Sequence, residues 1–163
     1  MRRIIGIVTA LALAAGCGSD GDTVTMEDYF AELLEVRLVY EDASTPIQAA
    51  LEESTDPLGD AKRLFPEFVG VIRTYLQALE AMDYPAGVDV EHSRAIERGH
   101  EAIEAFEVLL SELDGITDPA DLDAFYAGAT FDAARRASFL FGQTCEALQL
   151  VALREGFPID LRC

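Results

Sequence analysis

Apolar residues recur in steps of three and four along most of the chain, the spacing that places them on one face of an α-helix. The first such segment starts at Thr25, where Thr25-Met26-Glu27-Asp28 has the form of a capping box with Asp in place of Glu. It runs to about Glu53 with Pro46 inside, which predicts a kink or break near Ala43 to Thr45. A second helix opens at Asp56-Pro57, an N-cap followed by proline at the first helical position. Its stripe is Leu58, Ala61, Phe65, Phe68, Ile72, Tyr75, Leu79 and Met82, and Pro66 is expected to split it into a short and a longer piece.

Tyr84-Pro85-Ala86-Gly87 reads as a turn. A third helix follows from about Val88, carrying Ile96, Gly99, Ile103, Phe106, Leu110 and Leu113, with Gly115 placed as a left-handed C-terminal cap. Asp118-Pro119-Ala120-Asp121 caps a short helix with Leu122, Phe125 and Tyr126. The last long helix spans about Phe131 to Glu155, with a seam of Phe131, Ala134, Ser138, Phe141, Cys145, Leu148 and Ala152, and Gly156 ends it. Only the tail alternates with period two. The expected fold class is all-α: an antiparallel four-helix bundle with a short extra helix and an extended C-terminal tail.

The residues before Thr25 follow a different logic. Arg2 and Arg3 precede an apolar run from Ile4 to Leu13, too short for the roughly twenty residues of a membrane span. Small residues Ala14-Ala15-Gly16 come next, completing the three parts of a secretory signal. Ending in Cys17, the run resembles a bacterial lipobox, with Ala14 where that pattern more often has Leu. The resemblance implies that residues 1–16 are cleaved and that Cys17 becomes a lipidated N-terminus. It also implies that the protein is extracytoplasmic and held to the cell membrane by acyl chains. Residues 17–24 then form a short tether, Gly18-Ser19-Asp20-Gly21-Asp22 being flexible. Residues 25–163 form one helical domain.

Charge narrows the partners. The chain has 30 acidic and 12 basic side chains, a formal charge of −18, and loss of Arg2 and Arg3 with the leader takes it to −20. No basic footprint for nucleic acid exists, and anionic lipid repels such a surface. Membrane attachment therefore falls to the acyl chains. The acids are spread over the helices rather than gathered in a tail, so they read either as a solvated face or as a surface for a cationic partner or ion. The basic residues are nearly all Arg, with Lys62 the only Lys, a bias of high-GC genomes.

Two cysteines remain beyond the leader, in an oxidising compartment where a disulfide is the default. From Cys145 to Gly156 the helix climbs about 16 Å, and residues 157–163 reach about 23 Å when extended. The tail can therefore double back to Cys145. Phe157, Ile159, Leu161 and Cys163 share one face of an extended strand, so a Cys145–Cys163 bridge would clip the C-terminus to the last helix. This ending, Cys145-x-x-Leu148-x-x-x-Ala152-x-x-x-Gly156-x-x-Ile159-Asp160-Leu161-x-Cys163, is similar to the C-terminus of small, uncharacterised lipoproteins from high-GC bacteria. The resemblance implies fold and disulfide and carries no activity.

Candidate chemistry is sparse. Glu97-Arg98-Gly99-His100 has the Glu-x-x-His spacing of di-iron bundles, but no second copy exists on another helix. His100, beside Glu101 and Glu104, reads either as a solvated histidine among acids or as a metal ligand. His92 continues the core stripe four residues before Ile96, so it either bonds a polar neighbour at the bundle end or binds a ligand. Arg37 lies between Leu33 and Tyr40 and is expected to snorkel or pair with a carboxylate. No phosphate loop, GxSxG or calcium loop is present, and no catalytic residue or cofactor is implied. The expected role is a membrane-anchored, non-catalytic binding or interaction module of the cell envelope. The alternative is a metal or small-ligand carrier using His92, His100, Glu97, Glu101 and Glu104.

Overall fold

The computed structural model describes residues 24–163; the leader 1–16, Cys17 and nearly all of the tether 17–24 lie outside the described residues. Those residues form an all-helical bundle. The α-helices are α1 (Met26–Glu52), α2 (Pro57–Ala81), α3 (Asp89–Asp114), α4 (Leu122–Tyr126) and α5 (Ala129–Arg154). A single 3₁₀ turn, Pro119–Asp121, leads into α4, so the predicted short helix is a 3₁₀ turn and an α-turn in succession.

The first two helices start at side-chain caps. The Thr25 hydroxyl accepts the Asp28 N–H at 3.1 Å and donates to the Asp28 carboxylate at 2.6 Å, a capping box closed through side chains. Asp56 accepts the Gly59 N–H at 3.2 Å, with Pro57 supplying the preset first turn of α2. The C-terminus of α3 has no basic residue of its own; Lys62 of α2 reaches across and donates to the Asp114 carbonyl at 2.9 Å.

Three boundary expectations are corrected. Pro46 does not break α1, and Pro66 does not split α2. Both prolines are exposed, so the carbonyls they leave unbonded, those of Asp42 and Lys62, lie on faces that water or neighbouring groups can reach. Gly115 is right-handed rather than left-handed, at φ −71°, because its N–H continues the helix onto Glu112 and Leu113. The left-handed stop belongs to Gly156 instead, at φ 86°. There the Phe157 N–H bonds the Ala152 carbonyl at 2.9 Å and the Gly156 N–H bonds Leu153 at 3.2 Å, a Schellman closure that reverses the chain.

Packing runs α1 on α2, α2 on α3 and α3 on α5. The core holds Tyr29, Phe30 and Leu33 of α1 with Val69, Ile72 and Leu79 of α2. From the other side come Ala95, Ala102 and Leu109 of α3 and Ala134, Leu148 and Ala152 of α5. The α2 seam is wider than the predicted stripe: Leu64, Val69 and Leu76 are buried, while Phe65 and Phe68 are only half-buried. Gly99 permits a close approach, since a Cβ there would lie 2.8 Å from Leu76 and 3.2 Å from Phe141.

The tail lies between α1 and α5. Leu161 is fully buried, Phe157 meets Phe30 with ring centroids 6.1 Å apart, and Cys145 and Cys163 are bridged with Cα atoms 5.6 Å apart. The period-two alternation stops one residue early. Arg162 turns left-handed, at φ 52°, and that turn delivers Cys163 to Cys145.

Candidate functional site

The five residues proposed as ligands do not converge. His92 and His100 are eight residues apart on α3, about 12 Å along its axis. His92 is 1% exposed, whereas His100 stands in the open and bonds Glu80 at 2.8 Å. Glu101 pairs with Arg98. Among the described residues, no group of three or more His, Cys, Asp or Glu side chains could hold a metal ion, Glu97 and Glu104 included.

His92 serves the core. Its Nδ1 lies 2.9 Å from the Tyr29 hydroxyl, and Tyr84 stacks on its ring at 4.4 Å between centroids. Burial, with the neighbouring Tyr75 adding to it, pushes the Tyr29 phenol far above its ordinary value, so it keeps its proton and donates to Nδ1. Burial also lowers the His92 pKa, against a smaller opposing pull from the Leu79 backbone, so the ring is held neutral. Nε2 then carries the ring proton and, among the described residues, makes no well-formed hydrogen bond, the Leu79 carbonyl exerting only a weak pull.

Arg37 has a role that its sequence position did not reveal. Among the described residues it pairs with no carboxylate. Its Nε donates to the Leu161 carbonyl at 3.3 Å and its Nη2 to the Arg162 carbonyl at 2.7 Å, tying α1 to the tail. The guanidinium lies over Tyr40 at 5.1 Å and Tyr75 at 5.7 Å. Burial raises both tyrosine pKa values, Tyr75 to about 12, with Arg37 pulling the other way. On the α5 side, Gln149 donates to the Ile159 carbonyl and accepts the Leu161 N–H at 2.6 Å. Nothing in the helical pattern distinguishes Gln149 from any other polar position.

The Tyr40–Tyr75 pair also lines an open groove between α1 and α2, of about 660 Å³. Val36, Val39 and Val71 supply apolar walls, while Ala43, Gly70 and Ala78 leave room between the helices. Val39 is 64% exposed, and a Cβ added at Gly70 would meet nothing within 4 Å. Glu35 on α1 and Glu67 on α2 stand at its edges. The Thr74 hydroxyl is committed to the Gly70 carbonyl at 3.1 Å. None of the lining residues is His, Cys, Lys or Ser, so the arrangement offers apolar contact and acidic edges rather than a nucleophile.

No protein family, curated protein or solved structure matches the chain. Among the described residues no helix is long and apolar enough to cross a membrane.

Proposed function

We propose that this protein is a non-catalytic binding module of the bacterial cell envelope, anchored by a lipid on Cys17 and engaging a partner through the α1–α2 face. The groove between α1 and α2 is the observation that carries the binding part of this reading: an apolar concavity left uncovered by every described residue. Its lining supports adhesion better than bond-making chemistry. The anchoring part is supported by the sequence Arg2-Arg3, the apolar run 4–13 and Ala14-Ala15-Gly16-Cys17.

The helices are read as an antiparallel four-helix bundle of α1, α2, α3 and α5. The short connections 53–56 and 82–88, together with the pairings α1–α2, α2–α3 and α3–α5, support that arrangement. The tail closes the remaining seam between α5 and α1.

Two measurements test the proposal. Inhibiting lipoprotein signal peptidase should retain residues 1–16 on the protein, and Cys17→Ser should release the protein or leave it unprocessed; a Cys17→Ser protein that loses residues 1–16 and is still held at the membrane would refute the lipid anchor. Native mass spectrometry after purification from the host should show the protein free of stoichiometric metal. A bound metal lost in both His92→Ala and His100→Ala would replace the binding module with a carrier.

A further inference from the structure

We infer that the α1–α2 groove receives an amphipathic helix of another protein, with an apolar stripe flanked by Lys or Arg. The inference rests on the reading of that groove as the binding face, and adds what fills it. Its dimensions suit a helix. The lining runs from Glu35 to Ala43 on α1 and from Glu67 to Ala78 on α2, about 12–16 Å of axis, or two to three helical turns. Small residues in the groove, Gly70 among them, let a helix backbone approach while Val39 and Val71 meet its apolar side chains.

Charge selects among occupants. A second copy of this chain would bring one −18 body against another, and an anionic membrane surface would be repelled in the same way. A segment with basic flanks meets attraction from the whole molecule and, at close range, from Glu35 and Glu67 at the groove edges. Of those two, Glu67 already shares Arg63 at 3.7 Å, so Glu35 is the freer contact.

The chain contains no Trp, so a peptide bearing one Trp reports its own environment without background. The probes are three synthetic helical peptides of about three turns, each with Leu at i, i+3, i+4 and i+7 and one Trp on that stripe. Their remaining positions are Lys, Gln or Glu. Titrated with the full chain, the Lys peptide is expected to bind with a blue-shifted emission, the Gln peptide more weakly and the Glu peptide not at all. Gly70→Leu, which fills the groove at a point with free space, should weaken the Lys peptide at least about tenfold. Ala43→Leu, from the opposite wall, should do the same, and Gly142→Leu on α5 should leave binding unchanged. Glu35→Gln should weaken the Lys peptide and reduce its salt dependence.

The outcomes separate the two levels of the argument. If the Gln peptide binds as tightly as the Lys peptide and both need an open Gly70, the groove stands as the binding face and the basic partner is overturned. If the Lys peptide binds equally to the wild type, Gly70→Leu and Ala43→Leu, attraction is diffuse and the groove itself is overturned. Binding of none of the three peptides overturns the helical occupant.

Discussion

At the scale of single residues, the pair Tyr29–His92 makes the most exacting demand on the core. Both side chains are buried, they share one 2.9 Å hydrogen bond, and the other ring nitrogen makes no well-formed bond among the described residues. Tyr29→Phe deletes that bond and leaves both ring nitrogens unsatisfied, and is expected to cost about 1–3 kcal/mol in urea denaturation. Replacing both residues, as Tyr29→Phe with His92→Leu, should cost less than the two single changes added together. A pH effect follows from the lowered His92 pKa. In the unfolded chain the ring takes its proton near the ordinary value of 6.5, whereas the folded ring resists to lower pH. Between those two values the unfolded state binds more protons, so stability falls as pH falls from about 7 and levels off below the folded pKa. Urea midpoints at constant salt should show this limb in the wild type and lose it in His92→Phe; midpoints that rise on acidification over the same range in the wild type alone would contradict the assignment.

At the scale of elements, the tail behaves as a separable strap with four fastenings: the disulfide, the Gln149 amide, the Arg37 guanidinium and buried Leu161. Joining residues 18 apart is worth roughly 3 kcal/mol in the chain-entropy account. Removing both sulfurs as Cys145→Ala with Cys163→Ala should therefore lower stability by about that amount. Hydrogen exchange should quicken in residues 157–163 while α2 and α3 stay protected; equal loss of protection everywhere would mean the tail is integral to the core. α2 offers the opposite lesson, since Gly70→Ala adds a Cβ in free space within a helix and should raise stability by about 0.5–1 kcal/mol, read as a higher thermal midpoint. Helix ends, the helical class and the cysteine pairing were readable from the sequence because caps and periodicity are local signals. The prolines misled because their cost depends on which way the ring faces, and both face outward. The groove was not readable at all: it is lined by small residues of two different helices, Ala43 of α1 with Gly70 and Ala78 of α2, and their meeting is a tertiary fact.

At the scale of the whole molecule, the governing quantity is a charge of −18 on one small body. Its ion pairs do little to offset this. Most join residues three or four apart on one helix, such as Arg63 with Asp60 and Arg136 with Asp132, and pairs this exposed to water and salt add little to stability. Those pairs depress the Asp60 and Asp132 carboxyls through hydrogen bonds from Arg63 and from Arg135 and Arg136, but they leave the excess of 30 acids over 12 bases in place. Long-range repulsion among the unpaired carboxylates must then oppose compaction. Salt acts on the two effects in opposite directions, weakening the local pairs a little and the summed repulsion a great deal, because the Debye length shrinks from about 30 Å at 0.01 M to about 8 Å at 0.15 M. The thermal midpoint at pH 7 is accordingly expected to rise by a few degrees across that range of sodium chloride, with most of the gain complete before about 0.3 M. Sodium sulfate would confuse the result by strengthening apolar burial, so chloride is the right salt. A midpoint that fell with added chloride would mean that the short helical ion pairs outweigh the repulsion. The attraction of a basic helix to the groove would then have to be local, carried by Glu35 and Glu67, rather than a property of the whole surface.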